Sequence, residues 1–210
     1  MKLYGYWRSA AAFRVRIALN LKGIEAELVT VDVVGGEQRS EAYDKLNPMR
    51  IVPTLVDGDL TLIESLAIIE YLDERHPEPP LLPGDAVQRA QIRAVALALA
   101  ADTHPLHTPR VFGRLMEEFG ANEESNKAWL QHWVGITFDA LEKMLPAAAG
   151  KFCFGDAPTL ADCCLVPQVI VGQRFGFDMA PYPLLSGIAE RCLDISAFER
   201  ALPTNQADAP

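Results

Sequence analysis

Ser9 closes the segment Tyr6-Trp7-Arg8-Ser9, and a helical pattern begins directly after it. A serine there has two readings. It can be a plain N-cap, its oxygen accepting from exposed backbone N–H groups. It can also donate its hydroxyl to a thiolate, because free N–H groups and the helix dipole favour negative charge at that point and lower a thiol's pKa. Arg8-Ser9-Ala10-Ala11 contains no cysteine, so a thiol working here has to be borrowed from a small molecule. Val52-Pro53 is a second mark: either an edge-strand proline, or a cis peptide bond that turns the Val52 backbone outward toward an extended peptide. Glu64-Ser65 is a third. Ser65 reads as a helix cap, and the same helix start can bind a carboxylate while Glu64 binds an amine. An α-amino acid end carries both groups, and a γ-glutamyl peptide fits the pair.

These marks need elements to position them. Residues 2–6 read as a strand. Residues 10–21 carry Phe13, Ile17 and Leu21 at helical spacing, with Gly23 as a stop signal. Residues 28–33 are a second strand, 40–46 a short helix and 51–56 a third strand with a proline near its start. Asp57-Gly58 signals a hairpin into a fourth strand at 61–63, and Ser65 is expected to cap a helix running to about residue 75. The order β-α-β-α-β-β-α is thioredoxin-like, with a parallel crossover followed by an antiparallel hairpin. Residues 76–86, with four prolines between His76 and Asp85, read as a linker. It separates a first domain at 1–80 from an all-helical domain at 87–210. In the latter, His104-Pro105 and Thr108-Pro109 break the helical pattern. Residues 123–145 form a long amphipathic helix with Trp129, Trp133 and Phe138. Residues 159–172 are nearly all apolar and read as its buried centre. Thr159-Leu160-Ala161-Asp162 is a capping box with a structural role.

Half of the 210 residues are hydrophobic and 22% are charged, which suits a packed protein and not a disordered one. A formal net charge of -9 disfavours nucleic acid and anionic membranes as partners but leaves room for a small anion held by local arginines. No run is long enough to span a membrane, and the N-terminus enters a strand without a signal-peptide layout. The four cysteines, Cys153, Cys163, Cys164 and Cys192, match no metal or redox spacing and read as free thiols of a reducing cytoplasm. A catalytic cysteine is the sharper alternative, but no basic motif stands beside any of the four. Arg14 and Arg16 read as surface or ion-pair residues of the first helix.

Taken together the marks resemble the zeta-class glutathione transferases, the family of maleylacetoacetate and maleylpyruvate isomerases. The likeness is carried by residues 6–19, by Leu46-Asn47-Pro48-Met49-Arg50-Ile51-Val52-Pro53-Thr54-Leu55, by Glu64 to Leu72, and by Gly155 to Asp162. It extends on to Pro181-Tyr182-Pro183 and so spans nearly the whole chain. The resemblance implies glutathione as co-substrate, with Ser9 activating its thiol. It implies Ala10, Ala11, Gln38, Val52, Pro53, Glu64 and Ser65 at the peptide-binding positions, and His104, Thr108 and Arg110 at positions that close over glutathione. It also implies Arg8, Arg110 and Arg174 as ligands of the carboxylates of a diketo acid, since the guanidinium fork suits them. The implied reaction is cis-trans isomerisation by reversible thiolate addition, in aromatic-compound catabolism. The implied partner is a second copy of the chain, in a homodimer pairing the N-terminal domain of one subunit with the helical domain of the other. Two departures stand out. Ala10, Ala11 and Ala12 replace the serines and cysteine of the fuller motif, and Glu64 stands where other members have glutamine. Glutathione conjugation or dehalogenation of α-halo acids is the enzymatic alternative, and a non-catalytic binding module is the alternative of another class. The intact Ser9, Val52-Pro53 and Glu64-Ser65 set counts against the module.

Overall fold

The computed structural model describes all 210 residues. β1 (Lys2–Gly5) runs into α1 (Ala10–Lys22), which returns the chain to β2 (Glu27–Thr30) beside β1. A 3-10 turn (Glu37–Arg39) and α2 (Glu41–Leu46) lead to the hairpin of β3 (Thr54–Asp57) and β4 (Leu60–Ile63), and α3 (Ser65–Arg75) follows. The sheet order is β2-β1-β3-β4, with β1 parallel to β2 and antiparallel to β3. This is the thioredoxin-like arrangement expected.

α1 is buried on nearly every side from Ala12 to Leu19 and packs on α3. Ser9 caps it in an extended conformation, its Oγ accepting from Ala12 N at 3.2 Å. Gly23 ends it at φ 64, a left-handed position suited to glycine. Arg14 and Arg16 are 1% and 6% exposed, which corrects the surface half of the surface-or-ion-pair expectation. Both guanidiniums lie in the interior because polar groups of distant segments meet them there: Ser65 Oγ for Arg14, at 3.3 Å, and the carbonyl of Ala201 for Arg16, at 3.1–3.2 Å.

The larger departures from the expected boundaries have local causes. β2 stops at Thr30, because Asp32 turns the chain by accepting from Gly35 N at 2.8 Å while its own N–H donates to Glu37. β3 begins at Thr54, after Pro53, whose ring nitrogen has no N–H to give the ladder. Ser65 is the first residue inside α3 and not its cap; Glu64 takes the cap position at φ 68.

The proline-rich segment is anchored more firmly than a linker need be. Lys22 pairs with Asp73 and donates to the carbonyls of His76 and Pro79, both at 2.7 Å, while Leu81 N donates to Asp73 at 2.8 Å. Leu81 and Leu82 are buried.

The chain divides into two compact units, residues 1–81 with 193–210, and residues 82–192. The helical unit is therefore shorter than the expected 87–210. Residues 193–210, including α9 (Ser196–Glu199), pack back on α1, where Asn20 donates to Ala197 O at 2.8 Å. The second unit comprises α4 (Ala86–Leu97), α5 (Pro109–Phe119), α6 (Glu123–Met144), α7 (Leu160–Arg174) and most of α8 (Pro183–Leu193). α7 is its buried centre and packs on α4 and α6. Asp162 on α7 is fully buried, and its carboxylate accepts from Thr159 N (2.7 Å), Thr159 Oγ1 (2.9 Å) and Cys153 N (2.9 Å). Burial raises its pKa against these hydrogen bonds, which lower it. No helix is long and apolar enough to cross a membrane.

Candidate active site

The strand register places the first-unit marks at one end of the sheet. Tyr4 pairs with Thr54, and Thr54 with Ile63. One step beyond that row lie the exit of β1 toward Ser9, the entry to β3 from Val52-Pro53, and the exit of β4 into Glu64-Ser65. β2 runs parallel to β1, so the segment carrying Gln38 leaves from the same end.

Each mark is held by identifiable contacts. Ser9 sits in a turn closed by its own N–H to Tyr6 O at 3.0 Å. Its oxygen accepts from Ala12 N, yet a hydroxyl has one proton to donate as well as two lone pairs, so the capping bond leaves the donor free. The N–H groups of Ala10 and Ala11 belong to the first turn of α1 and have no intrahelical carbonyl to reach. The loop before Val52-Pro53 is fixed by a buried polar cluster: Tyr43 Oη and Asn47 Nδ2 both donate to Ile51 O at 2.8 Å, and both lie 2.9 Å from Thr54 Oγ1. Burial raises the pKa of Tyr43 and keeps it a donor. Ser65 is buried, and its Oγ accepts from Arg14 Nη1 at 3.3 Å, which again leaves its proton available. Glu64 is exposed at the start of α3. Gln38 is 7% exposed, and its Oε1 has no partner. An orphaned buried carbonyl is rare in a folded protein and points to a ligand or a water.

The second-unit candidates gather around the break after α4. A π-helical turn (Ala98–Thr103) and a 3-10 turn (His104–His107) carry His104. Its ring packs edge-on against His107 at 5.4 Å between centroids, and His107 Nε2 lies 3.1–3.3 Å from the side-chain amide of Gln168 on α7. Trp129 Nε1 donates to Leu106 O at 2.9 Å and fixes the same turn. Thr108 caps the entry to α5, its hydroxyl donating to Pro105 O at 3.2 Å. Arg110 and Arg174 are both exposed. Phe112 and Phe175 meet edge to face at 6.2 Å, so the segments carrying the two arginines are neighbours. Arg174 lies over the Phe175 ring at 5.1 Å. Arg8, in the first unit, is exposed and lies over Trp7 at 5.4 Å.

The catalytic-cysteine alternative finds no support. All four cysteines are fully buried, and burial pushes the thiols of Cys153 and Cys192 up, away from the reactive thiolate. No group of His, Cys, Asp and Glu side chains is placed to hold a metal. Sequence reasoning missed Tyr43, Asn47 and Arg14 as supports of the first-unit candidates, and His107 and Gln168 as supports of the second-unit ones. All are polar residues whose burial has no periodic signature; only Asn47, next to Pro48 in a loop, carried any local hint.

Residues 3–80 match the family described as Glutathione S-transferase, N-terminal domain. The chain is 46% identical over 209 residues to the probable maleylacetoacetate isomerase of Vibrio cholerae, covering 99% of this chain and 97% of that one. Among solved structures it is similar to the holo structure of maleyl pyruvate isomerase, a bacterial glutathione S-transferase of the zeta class. The TM-score is 0.98 and the identity 44%, with both chains covered completely. It is equally similar to maleylacetoacetate isomerase from Methylobacterium extorquens AM1 with bound malonate and glutathione, at a TM-score of 0.97 and 45% identity, again over the full length of both. With identities of this order over the whole length, and a serine turn lacking any cysteine at the helix start, the chain belongs to the zeta class of the glutathione S-transferase family.

Proposed function

We propose that the protein catalyses glutathione-dependent cis-trans isomerisation of a maleyl diketo acid, with maleylacetoacetate as the first candidate and maleylpyruvate as the second. The observation that carries this reading is Ser9: a hydroxyl with a free proton at a helix start, on the sheet end shared with Val52, Gln38 and Ser65. Those residues fit glutathione. The orphaned Gln38 Oε1 supplies an acceptor, the backbone of Val52 beside its cis proline can pair with an extended peptide, and the start of α3 suits a carboxylate.

Bound there, glutathione supplies a thiolate able to add reversibly to a conjugated double bond, so that the bond can rotate as a single bond. The chain's own groups do the rest. Ser9 donates to the sulfur while its lone pair still accepts from Ala12 N, and the first-turn N–H groups of Ala10 and Ala11 favour the negative charge. The Val52 backbone pairs with the extended tripeptide. Ser65 takes the γ-glutamyl carboxylate, Glu64 the ammonium, and His104 and Thr108 further atoms of the tripeptide. Arg8, Arg110 and Arg174 bind the carboxylates of the acid and stabilise the charge that grows on its keto oxygen. The malonate bound with glutathione in the Methylobacterium relative, a small dicarboxylate, supports an anionic substrate. The working form is proposed to be a homodimer in the cytoplasm, a compartment that suits four free cysteines.

The test is a spectroscopic assay of both diketo acids with and without glutathione. Isomerisation that requires glutathione and consumes none of it is the expected result. Accumulation of a conjugate without isomerisation would move the protein to the conjugating or dehalogenating class. Glutathione binding without either reaction would leave a binding module.

A further inference from the structure

The turn that carries Ser9 is held by a segment from the far end of the sequence, 201 residues away at the Trp7–Asp208 contact. Trp7 N donates to Asp208 Oδ2 at 3.0 Å. Arg16 donates through Nη1 to Tyr6 O (3.4 Å) and through Nη2 to Trp7 O (3.0 Å), and through Nε and Nη2 to Ala201 O (3.2 and 3.1 Å). One arginine and one aspartate thus satisfy the backbone of Tyr6 and Trp7 and tie both to residues 201–208. Burial lowers the Arg16 pKa, and the nearby Asp208 carboxylate opposes that shift, so the two charges are near neighbours.

The segment is itself ordered. After the 3-10 turn Pro203–Asn205, Gln206 Nε2 donates to the carbonyls of Arg200 (2.9 Å) and Leu202 (2.8 Å), and Asn205 Nδ2 to Glu199 O (2.8 Å). Asp208 is therefore presented by a folded element, and its carboxylate accepts the Trp7 N–H of the turn.

We propose that residues 201–208 are a positioning strap for the Ser9 turn, with Asp208 and Arg16 as positioning residues that act through the backbone of Tyr6 and Trp7. The inference rests on the reading of Ser9 as the group that activates the glutathione thiol. Its physical basis is that a hydroxyl donor stabilises a thiolate only while distance and angle are kept, and that small misplacements of a reacting group cost rate steeply. A segment that merely closes the core would instead affect stability alone.

The experiment compares Asp208→Ala, Asp208→Asn, a chain ending at Leu202, and Ser9→Ala. Each is read by kcat, the glutathione KM, the pH profile of the rate, thiolate absorbance of bound glutathione, and amide exchange at residues 6–10. Asp208→Ala should lower kcat about three- to tenfold, the scale of one hydrogen bond. It should also move the thiol titration to higher pH and speed exchange at Trp7, with the glutathione KM little changed. Asp208→Asn keeps an acceptor oxygen and should recover most of the loss, while the shortened chain should lose at least as much as Asp208→Ala. If Asp208→Ala and the shortened chain remain folded with wild-type kcat and thiol titration while Ser9→Ala is impaired, the strap is overturned and the Ser9 reading stands. If Ser9→Ala is itself unaffected, both fall. A loss confined to thermal stability would make the segment structural and refute its role in positioning.

Discussion

Ser9→Ala separates the two duties of one hydroxyl. As a cap, Ser9 Oγ accepts from Ala12 N at 3.2 Å, and its loss should cost about 1 kcal/mol of stability, a fall in Tm of about 2–4 °C for a chain of this size. As a donor to a thiolate it makes a charge-assisted hydrogen bond of about 1.5–3 kcal/mol. Losing that should raise the pKa of the bound thiol by about one to two units and lower turnover by about ten- to a hundredfold. Glutathione affinity should change less, since Val52, Glu64 and Ser65 are proposed to hold most of the peptide. Ala10, Ala11 and Ala12 offer no second hydroxyl to compensate. Ser9→Gly is the control: glycine caps almost as well, within a few tenths of a kcal/mol, so it should restore the stability and not the turnover. The assay is isomerisation of the diketo acid across pH, beside a thermal melt. Full turnover with an unshifted pH profile in both variants would refute the reasoning, because the sulfur would then be held by backbone N–H groups alone.

Arg174→Met should cut kcat/KM for the diketo acid by about ten- to a hundredfold, the worth of a charge-assisted contact. Conjugation of a neutral acceptor and glutathione affinity should survive, and equal loss with both acceptors would indicate general damage. Arg14→Met should weaken glutathione binding about three- to tenfold by freeing Ser65 Oγ; calorimetry in a Ser65→Ala background should find little further loss, and additive effects would deny the coupling. Asp162→Ala orphans three buried donors and should destabilise by about 3–5 kcal/mol in urea titration, with the glutathione KM of the surviving folded protein unchanged.

Local chemistry alone disclosed the element order. Phe13, Ile17 and Leu21 mark one helix, Asp57-Gly58 turns one hairpin, and Thr159 with Asp162 opens another helix through bonds between near neighbours. Ser9 was legible for the same reason: a serine before a helix has only nearby N–H groups to satisfy, and the lack of cysteine beside it is visible in the letters. A few such marks in the right order, each weak by itself, carried the resemblance to a known family, and that resemblance implied the function.

Tertiary structure decided the contacts that cross the chain. Arg14 and Arg16 read as surface or ion-pair residues because an isolated charge is normally solvated; they are buried, and Ser65 and Ala201 meet them with oxygens from 51 and 185 residues away. Gln38 looked like any polar residue of a loop until its burial left a carbonyl without a partner. Residues 193–210 read as the end of the helical domain, since helical periodicity does not say which core a helix joins, yet Asn20, Arg16 and Trp7 draw them to the first unit. Capping, turns and helix periodicity obey rules spanning a few residues and are written in the sequence. Which distant polar groups satisfy one another depends on the whole path of the backbone, and only the fold decides it.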